Sequence, residues 1–189
     1  DSISLSKMES FKATLLQNPN VKSVSFASDA PSSDNNSGSN FYFNNSMKDP
    51  DFNTFLKFGD NDYFKTFGLK FVAGKGYAKS DTVNQFVINE TFIHELGIKR
   101  AEDAIGKTMK LGSAKTFSPI VGVVKDFKTN SLRDEVKPIA ISSRKALLSQ
   151  TAVKIETKGL SNTAKAVQSL WEKTYPEYAY NGYFLDETI

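Results

Sequence analysis

Residues that could do chemistry are few in this 189-residue chain, and their types exclude most kinds of active site. There is no cysteine, and His94 is the only histidine. Zinc sites built on Cys and His, thiol nucleophiles, disulfides and iron–sulfur ligation are therefore excluded. A Ser-His-Asp triad would have to use His94, and no G-x-S-x-G nucleophile elbow accompanies it. Its helical neighbour Glu95 points elsewhere, so we expect a surface histidine.

Two short motifs begin or end like ligand-binding loops but lack a required residue. The GKT sequence at 106–108 ends like a P-loop, yet Ala101 stands where the first glycine is needed, and a strand follows instead of a helix. The DND sequence at 60–62 begins like a calcium loop, but Phe64 and Lys65 occupy later ligand and glycine positions. We expect a turn at the first motif and a helix cap at the second.

The remaining polar stretches also predict no reactive site. The DNNSG sequence at 34–38 also begins like a calcium loop, but Ser39 stands where that loop needs glycine. The stretch 28–40 has almost nothing to bury, so it predicts a mobile loop. Catalytic carboxylates can lie far apart in sequence, so a hydrolase with dispersed carboxylates stays open as an alternative. We predict no catalytic residue, no metal ligand and no cofactor site.

Composition indicates a globular chain. Hydrophobic residues make up 39% and charged residues 24%. The 24 basic and 21 acidic residues give a net charge of +3, which does not indicate a nucleic-acid partner. No run approaches the roughly 20 apolar residues that span a bilayer. Because the chain has neither an initial Met nor a signal peptide, we interpret it as a soluble piece excised from a longer protein.

The periodicity of apolar residues predicts a mixture of helices and strands. Helices are predicted at 4–17, 60–67, 90–96 and 160–175. Strands are predicted at 21–26, 41–43, 52–58, 69–73, 86–88, 108–111, 119–125, 138–142, 152–157 and 180–185. Their order lacks a regular alternation of strand and helix, which favours an α+β fold.

An aromatic run, Phe41-Tyr42-Phe43, follows the polar loop directly. Such a run forms either an exposed docking edge or a strand packed on one or both faces, and the sequence leaves both open. These three residues are our candidate partner contacts.

Several short sequence segments, taken in their order along the chain, resemble those of one protein family. They are DYFKTFGL at 62–69, FVINET at 86–91, AIGK at 104–107, IVGVVKDF at 120–127, SL at 131–132, KP at 137–138, WEK at 171–173 and FLDE at 184–187. Together they resemble the extracytoplasmic core domain of MacB/FtsX-type ABC transporter permeases, in the form common in Bacteroidetes. The resemblance runs from about residue 60 to the end, and the first third matches mainly in outline.

The resemblance implies a two-lobed α+β fold. A porter-like lobe would comprise residues 1–59 and 150–189, and a smaller Sabre-like α/β lobe would comprise residues 60–149. We expect one sheet of the porter-like lobe to contain strands near 21–26, 41–58, 152–157 and 180–185. Gly59 and residues 143–150 are the candidate hinges.

The resemblance also implies a function without chemistry in this domain. ATP would be hydrolysed by a separate cytoplasmic ATPase, and the membrane helices would pass its motion to a domain on the periplasmic side of the inner membrane. The implied partners are cargo, an efflux adaptor, a lipoprotein or a cell-wall hydrolase, with a homodimer as the intact permease. The alternative is an extracytoplasmic ligand-sensing domain of a membrane receptor, which a deep apolar pocket would favour.

Overall fold

The computed structural model describes residues 2–33, 37–112, 114–127 and 135–185, and its architecture confirms the α+β fold class. The helices are α1 (Ser2–Leu15), α2 (Tyr63–Phe67), α3 (Glu90–Glu95) and α4 (Leu160–Thr174). The strands are β1 (Val21–Ala27), β2 (Ser37–Ser39), β3 (Phe41–Phe43), β4 (Thr54–Phe58), β5 (Phe71–Gly74), β6 (Phe86–Asn89), β7 (Thr108–Leu111), β8 (Ser118–Val124), β9 (Ile139–Ser142) and β10 (Gln150–Ile155). No described helix is long and apolar enough to cross a membrane.

Over the described part of the chain, the strands form a small sheet and a large one. The small sheet pairs β1 with β10 in antiparallel register. The large sheet has the order β2-β4-β9-β6-β8-β7-β3, and β5 also pairs with β8. The pairs β4–β9 and β6–β8 are parallel, and the other pairs are antiparallel. The large sheet is therefore mixed, as an α+β fold allows.

The small sheet is covered on both faces. Phe11 and Leu15 of α1 pack on one face with Val24 of β1, and α4 adds Trp171 there. On the opposite face, Ser25 bonds to Asp60 beside α2, because successive strand residues point to opposite faces. The alternation at 21–26 predicts a half-buried strand, and this is wrong. The polar face of β1 is covered by α2 instead of water.

The large sheet carries a core on each face. Strand β6 is buried throughout, with Phe86 and Ile88 in one cluster and Val87 in the other. Phe92 of α3 belongs to the first cluster and Tyr63 of α2 to the second. The two short helices therefore seal opposite faces of one sheet.

The local signals for helix ends are confirmed. The Asn89 side chain accepts a hydrogen bond from the Phe92 N–H at 3.2 Å, as an N-cap does. Gly68 ends α2 at φ 70°, and Gly97 follows α3 at φ 68°. Both lie in the left-handed region that favours glycine.

Three expectations about sheet membership and order are corrected. The pairs β3–β7 and β4–β9 place residues 41–58 in the large sheet instead of beside β1 and β10. The structure places no strand at residues 180–185, and none of the described strands pairs with residues 180–184, although an alternating pattern needs such a partner to form a strand. The stretch 28–40 is not all solvated loop, since β2 lies within it and Asp29 is buried.

Candidate functional site

Most residues singled out for chemistry lie apart. His94 and Glu95 are exposed on α3, which confirms the surface histidine. Gly106, at φ 83°, forms the expected turn into β7. Among the described residues, no group of three or more His, Cys, Asp or Glu side chains could hold a metal ion. The loop motif at 34–38 lies mostly outside the described residues.

Asp60 is the polar centre of the junction between the two sheets. Its Oδ1 accepts from Ser25 Oγ at 2.7 Å and from the Asp62 N–H at 3.1 Å. Its Oδ2 accepts from Lys12 Nζ at 2.7 Å and from the Phe26 N–H at 3.1 Å. The carboxylate thus joins α1, β1 and the start of α2. The expected helix cap is present only as the bond to the Asp62 N–H, because α2 begins at Tyr63.

Lys12 forms ion pairs with Asp60 and Asp62, and we call these three residues the Asp60 joint. Its Nζ also lies 2.7 Å from an Asp62 oxygen, and the side chains of Lys12 and Asp60 are only 14% and 15% exposed. Burial alone would lower the pKa of Lys12. The hydrogen bonds and charges of the two aspartates outweigh burial and hold that pKa above its ordinary 10.5. Lys12 is therefore charged, and the joint is ionic across the neutral range.

Gly59 lies where β1, β4 and β9 meet. Its N–H donates to the Ser142 carbonyl at 3.0 Å, and it forms an isolated antiparallel bridge with Ala27. Tyr77 Oη donates to the Gly59 carbonyl at 2.9 Å. A Cβ at Gly59 would come within 2.3 Å of the Tyr63 ring, so this close approach requires glycine.

A buried ion pair supports the same junction from the other side of Gly59. Lys57 of β4 pairs with Asp29, which follows β1, and their side chains are 0% and 6% exposed. Lys57 Nζ also donates to the Ser33 carbonyl at 3.0 Å, and Tyr63 Oη donates to the Asp29 carbonyl at 3.2 Å. Removing one partner of such a buried pair would destabilise the fold by about 3–5 kcal/mol, because the other charge would be left buried and unpaired.

A cleft of about 180 Å³ opens beside the joint. Its walls come from α1, the 60–62 turn, residues 79–81 and residues 143–148. Glu9 pairs with Lys79 across it at 3.0 Å, and Lys145 pairs with Asp81 at 3.5 Å. The charges of the cleft thus pair with one another across its two walls.

The aromatic run divides between core and surface. Phe41 is 0% exposed and packs against Phe52 and Phe92, so it is closed to a partner. Tyr42 and Phe43 are half-buried, and Lys110 lies over the Tyr42 ring at 4.6 Å. Strand β3 is the last strand of the large sheet, next to β7. Tyr42 is therefore the member best placed to meet a partner.

Sequence reasoning singled out Gly59 and residues 143–150 near this junction but missed the ion pairs that form it. One signal was available, since Lys57 interrupts the apolar strand sequence TFLKF, and a charge inside a buried strand requires a partner. Its partner Asp29 lay in the stretch interpreted as loop. The bond between Asp60 and Lys12 joins residues 48 apart in sequence, and no local pattern predicts it.

Comparison with protein families gave one match that covers most of the chain. Residues 2–171 match the model of the MacB-like periplasmic core domain. Comparison with curated protein sequences gave no significant match.

Solved structures with the same fold agree with this match. The periplasmic region of MacB from Actinobacillus actinomycetemcomitans has a TM-score of 0.61 at 19% identity, covering 88% of this chain and 73% of that one. The extracellular domain of the noncanonic ABC-type transporter YknZ from Gram-positive bacteria has a TM-score of 0.60 at 15% identity, covering 89% and 83%. A domain of a putative permease from Porphyromonas gingivalis has a TM-score of 0.56 at 14% identity, covering 88% and 69%.

Proposed function

Because the chain belongs to the family of MacB-like periplasmic core domains, the extracytoplasmic domains of MacB-like ABC transporter permeases, we propose that it transmits motion and does no chemistry. In this account, a cytoplasmic ATPase subunit or domain hydrolyses ATP. The membrane helices carry the resulting movement to this domain, which changes its contact with cargo or with a partner protein. Family membership favours this function over the ligand-sensing alternative.

The observation that carries the proposal is the polar junction between the two sheets. Lys12, Asp60 and Asp62 join α1 to the start of α2 through ionic contacts, and the pairs across the cleft are ionic as well. The exposed pair between Glu9 and Lys79 gains only about 0–1 kcal/mol of net free energy, so this contact across the cleft can open and re-form at low cost. A junction of this kind lets one half of the domain move against the other.

The lobe boundaries are also proposals. The division at residues 59 and 150 follows the family likeness, with a porter-like lobe from 1–59 and 150–189 and a Sabre-like lobe from 60–149. The pairing of β3 and β4 within the large sheet favours moving residues 37–58 to the second lobe. The hinge then lies at the Gly59 junction and the 143–149 connection, where the chain passes between the sheets.

The partners belong to the same proposal. An intact homodimeric permease in the inner membrane, with this domain on its periplasmic side, would place Tyr42 on a surface available to an adaptor, a lipoprotein or a cell-wall hydrolase. Efflux of a cargo is one role of this kind. The exposed side of the β3 edge supports a contact there, since half-buried aromatic side chains are frequent anchors in interfaces.

A cleavable crosslink across the cleft tests the proposal. The chain has no cysteine, so Glu9→Cys with Lys79→Cys gives one unique pair within it. In the intact permease, joining these thiols with a short, reducible bismaleimide should stop transport, because α1 can no longer move from the 79–81 segment. Cleaving the linker should restore transport. ATP hydrolysis is measured in the same samples, to show whether the crosslink stops the ATPase itself or only the passage of its motion to this domain.

The control pair is Gln168→Cys with Glu172→Cys, which lie one helical turn apart on α4 and share a 2.8 Å hydrogen bond. Crosslinking this pair constrains a single helix and should leave transport unchanged. Full transport with the cleft crosslinked would contradict the proposal.

A further inference from the structure

Two lysines lie directly opposite each other where β5 meets β8. The antiparallel register pairs Phe71 with Val124, and one residue further the Lys125 N–H donates to the Lys70 carbonyl at 2.8 Å. Residues directly opposite in an antiparallel pair share a face, with Cβ atoms about 5 Å apart. Both lysines are exposed. Like charges in this position destabilise a sheet, so this pair has a cost to the fold.

Two further lysines continue the positive surface. Lys154 of β10 reaches over the end of α2, where its Nζ lies 3.9 Å from the Cβ position of Gly68. Lys65 lies in the last turn of α2 and is exposed. We call Lys65, Lys70, Lys125 and Lys154 the lysine cluster. It runs from the small sheet, over α2, to the edge of the large sheet.

The described acidic residues do not neutralise this cluster. None of them lies within ion-pair distance of the four lysines, across residues 2–33, 37–112, 114–127 and 135–185. Glu156, close by on the chain, pairs with Lys22. Asp126 accepts from Asn89 at 2.8 Å. Within the described part of the chain, the four lysines thus have no ion-pair partner, whereas the charges of the cleft pair with one another.

We propose that the lysine cluster binds an acidic segment of a partner protein in the cell envelope. The proposal rests on the proposed function only in assuming that this domain contacts partner proteins. The cost of placing Lys70 opposite Lys125 is offset when carboxylates of the partner lie between them. A surface of one sign also speeds association with a partner of opposite sign and fixes its orientation.

The chemistry favours an acidic protein segment over a lipid surface. Contact with a membrane surface typically combines basic residues with aromatic or aliphatic anchors. Among the described residues, four of the eight exposed large apolar side chains lie in the segment after α4, and the others are Leu16, Met47, Ile105 and Leu147. None of the eight belongs to α2, β5, β8 or β10, the elements that carry or adjoin the lysines.

A labelled oligoglutamate peptide provides the test, with binding to the whole chain measured by fluorescence anisotropy at low salt. Lys70→Glu with Lys125→Glu should weaken binding at least about tenfold, because two contacts become repulsive. Lys99→Glu with Lys165→Glu is the matched control, since both residues are exposed and lie outside the cluster. Each pair lowers the net charge by four, from +3 to −1. The control pair should weaken binding by less than about twofold.

A second readout separates binding from structure. Lys70→Glu alone places a carboxylate opposite Lys125, so it should raise the melting temperature by about 2–4 °C while weakening peptide binding. If Lys70 served only the fold, Lys70→Glu would lower the melting temperature instead. That result would overturn the proposal.

Two other outcomes overturn it. Equal losses in the cluster and control variants would mean that binding follows net charge alone. Binding to phosphatidylglycerol vesicles but not to the peptide would assign the cluster to a lipid surface. Because the peptide-binding assay includes no transport step, a negative result in it does not affect the crosslinking test of the proposed function.

Discussion

At the scale of single residues, Gly59 bears the tightest constraint at the junction. A Cβ there would lie 2.3 Å from the Tyr63 ring, and Tyr63 is fully buried and cannot retreat. We expect Gly59→Ala to lower the free energy of unfolding by about 2–3 kcal/mol through overpacking. Gly38→Ala is the matched control, because its added Cβ would make an ordinary 3.8 Å contact with Phe55. Urea unfolding of both variants measures the effect. Equal stabilities of the two variants would contradict the close approach of Gly59 to the Tyr63 ring.

The buried tyrosines of the junction make stability depend on alkaline pH. Burial, followed by the charge of Asp60, raises the pKa of Tyr77 above its ordinary 10.0, and burial does the same for Tyr63. Above pH 10.0 the unfolded chain loses these protons while the folded chain keeps them. Stability is therefore fully present below pH 10.0 and falls as pH rises further. Each tyrosine contributes a slope of about 1.4 kcal/mol per pH unit.

Tyr77→Phe should remove one such slope. At neutral pH, the free energy of unfolding of the variant should be about 1 kcal/mol lower, because the hydrogen bond to Gly59 is lost. Between about pH 10 and 11, the free energy of unfolding of the variant should fall less steeply than that of the wild type. Tyr178→Phe, at a position 64% exposed, should keep the wild-type slope because its hydroxyl is not buried on folding. Chemical unfolding at several pH values gives these slopes. Identical slopes for Tyr77→Phe and the wild type would show that this hydroxyl is not buried.

At the scale of elements, the sequence indicates where helices and strands lie but not how they pair. The N-cap at Asn89 and the glycines at 68 and 97 are local signals, and the structure confirms them. The parallel pairing of β4 with β9 joins residues more than 80 apart, and periodicity carries no information on such a partner. The order of the predicted elements indicates the α+β fold class, and the resemblance to a family adds the expectation of two lobes.

Two elements show the physical reason for the errors. Residues 180–185 have the composition of a strand, yet Tyr183 and Phe184 are exposed, and none of the described strands pairs with residues 180–184. The pattern of strand β1 predicts a half-buried strand, yet the Ser25 hydroxyl is buried and donates a hydrogen bond to Asp60. Polar residues predict exposure only when no other element supplies partners, and here Asp60 supplies one.

At the scale of the whole molecule, polar contacts lie between the apolar clusters of the two sheets. The small sheet has its own cluster around Phe11 and Trp171, and the large sheet has one cluster on each face, one of which includes Ala27 at the end of β1. The Asp60 joint, the Gly59 approach and the cleft with its paired charges complete this junction. The proposed transmission of motion would act through these polar contacts.

The measurement that tests this account most directly is a distance across the cleft in the intact permease. Spin labels on Glu9→Cys and Lys79→Cys report the separation of α1 from the 79–81 segment, whose side chains now pair at 3.0 Å. The account predicts that the distribution of distances shifts between the nucleotide-free and nucleotide-bound permease, while labels on Gln168→Cys and Glu172→Cys keep one distance. The same cleft distance in both states would contradict the claim that this domain transmits motion through its junction.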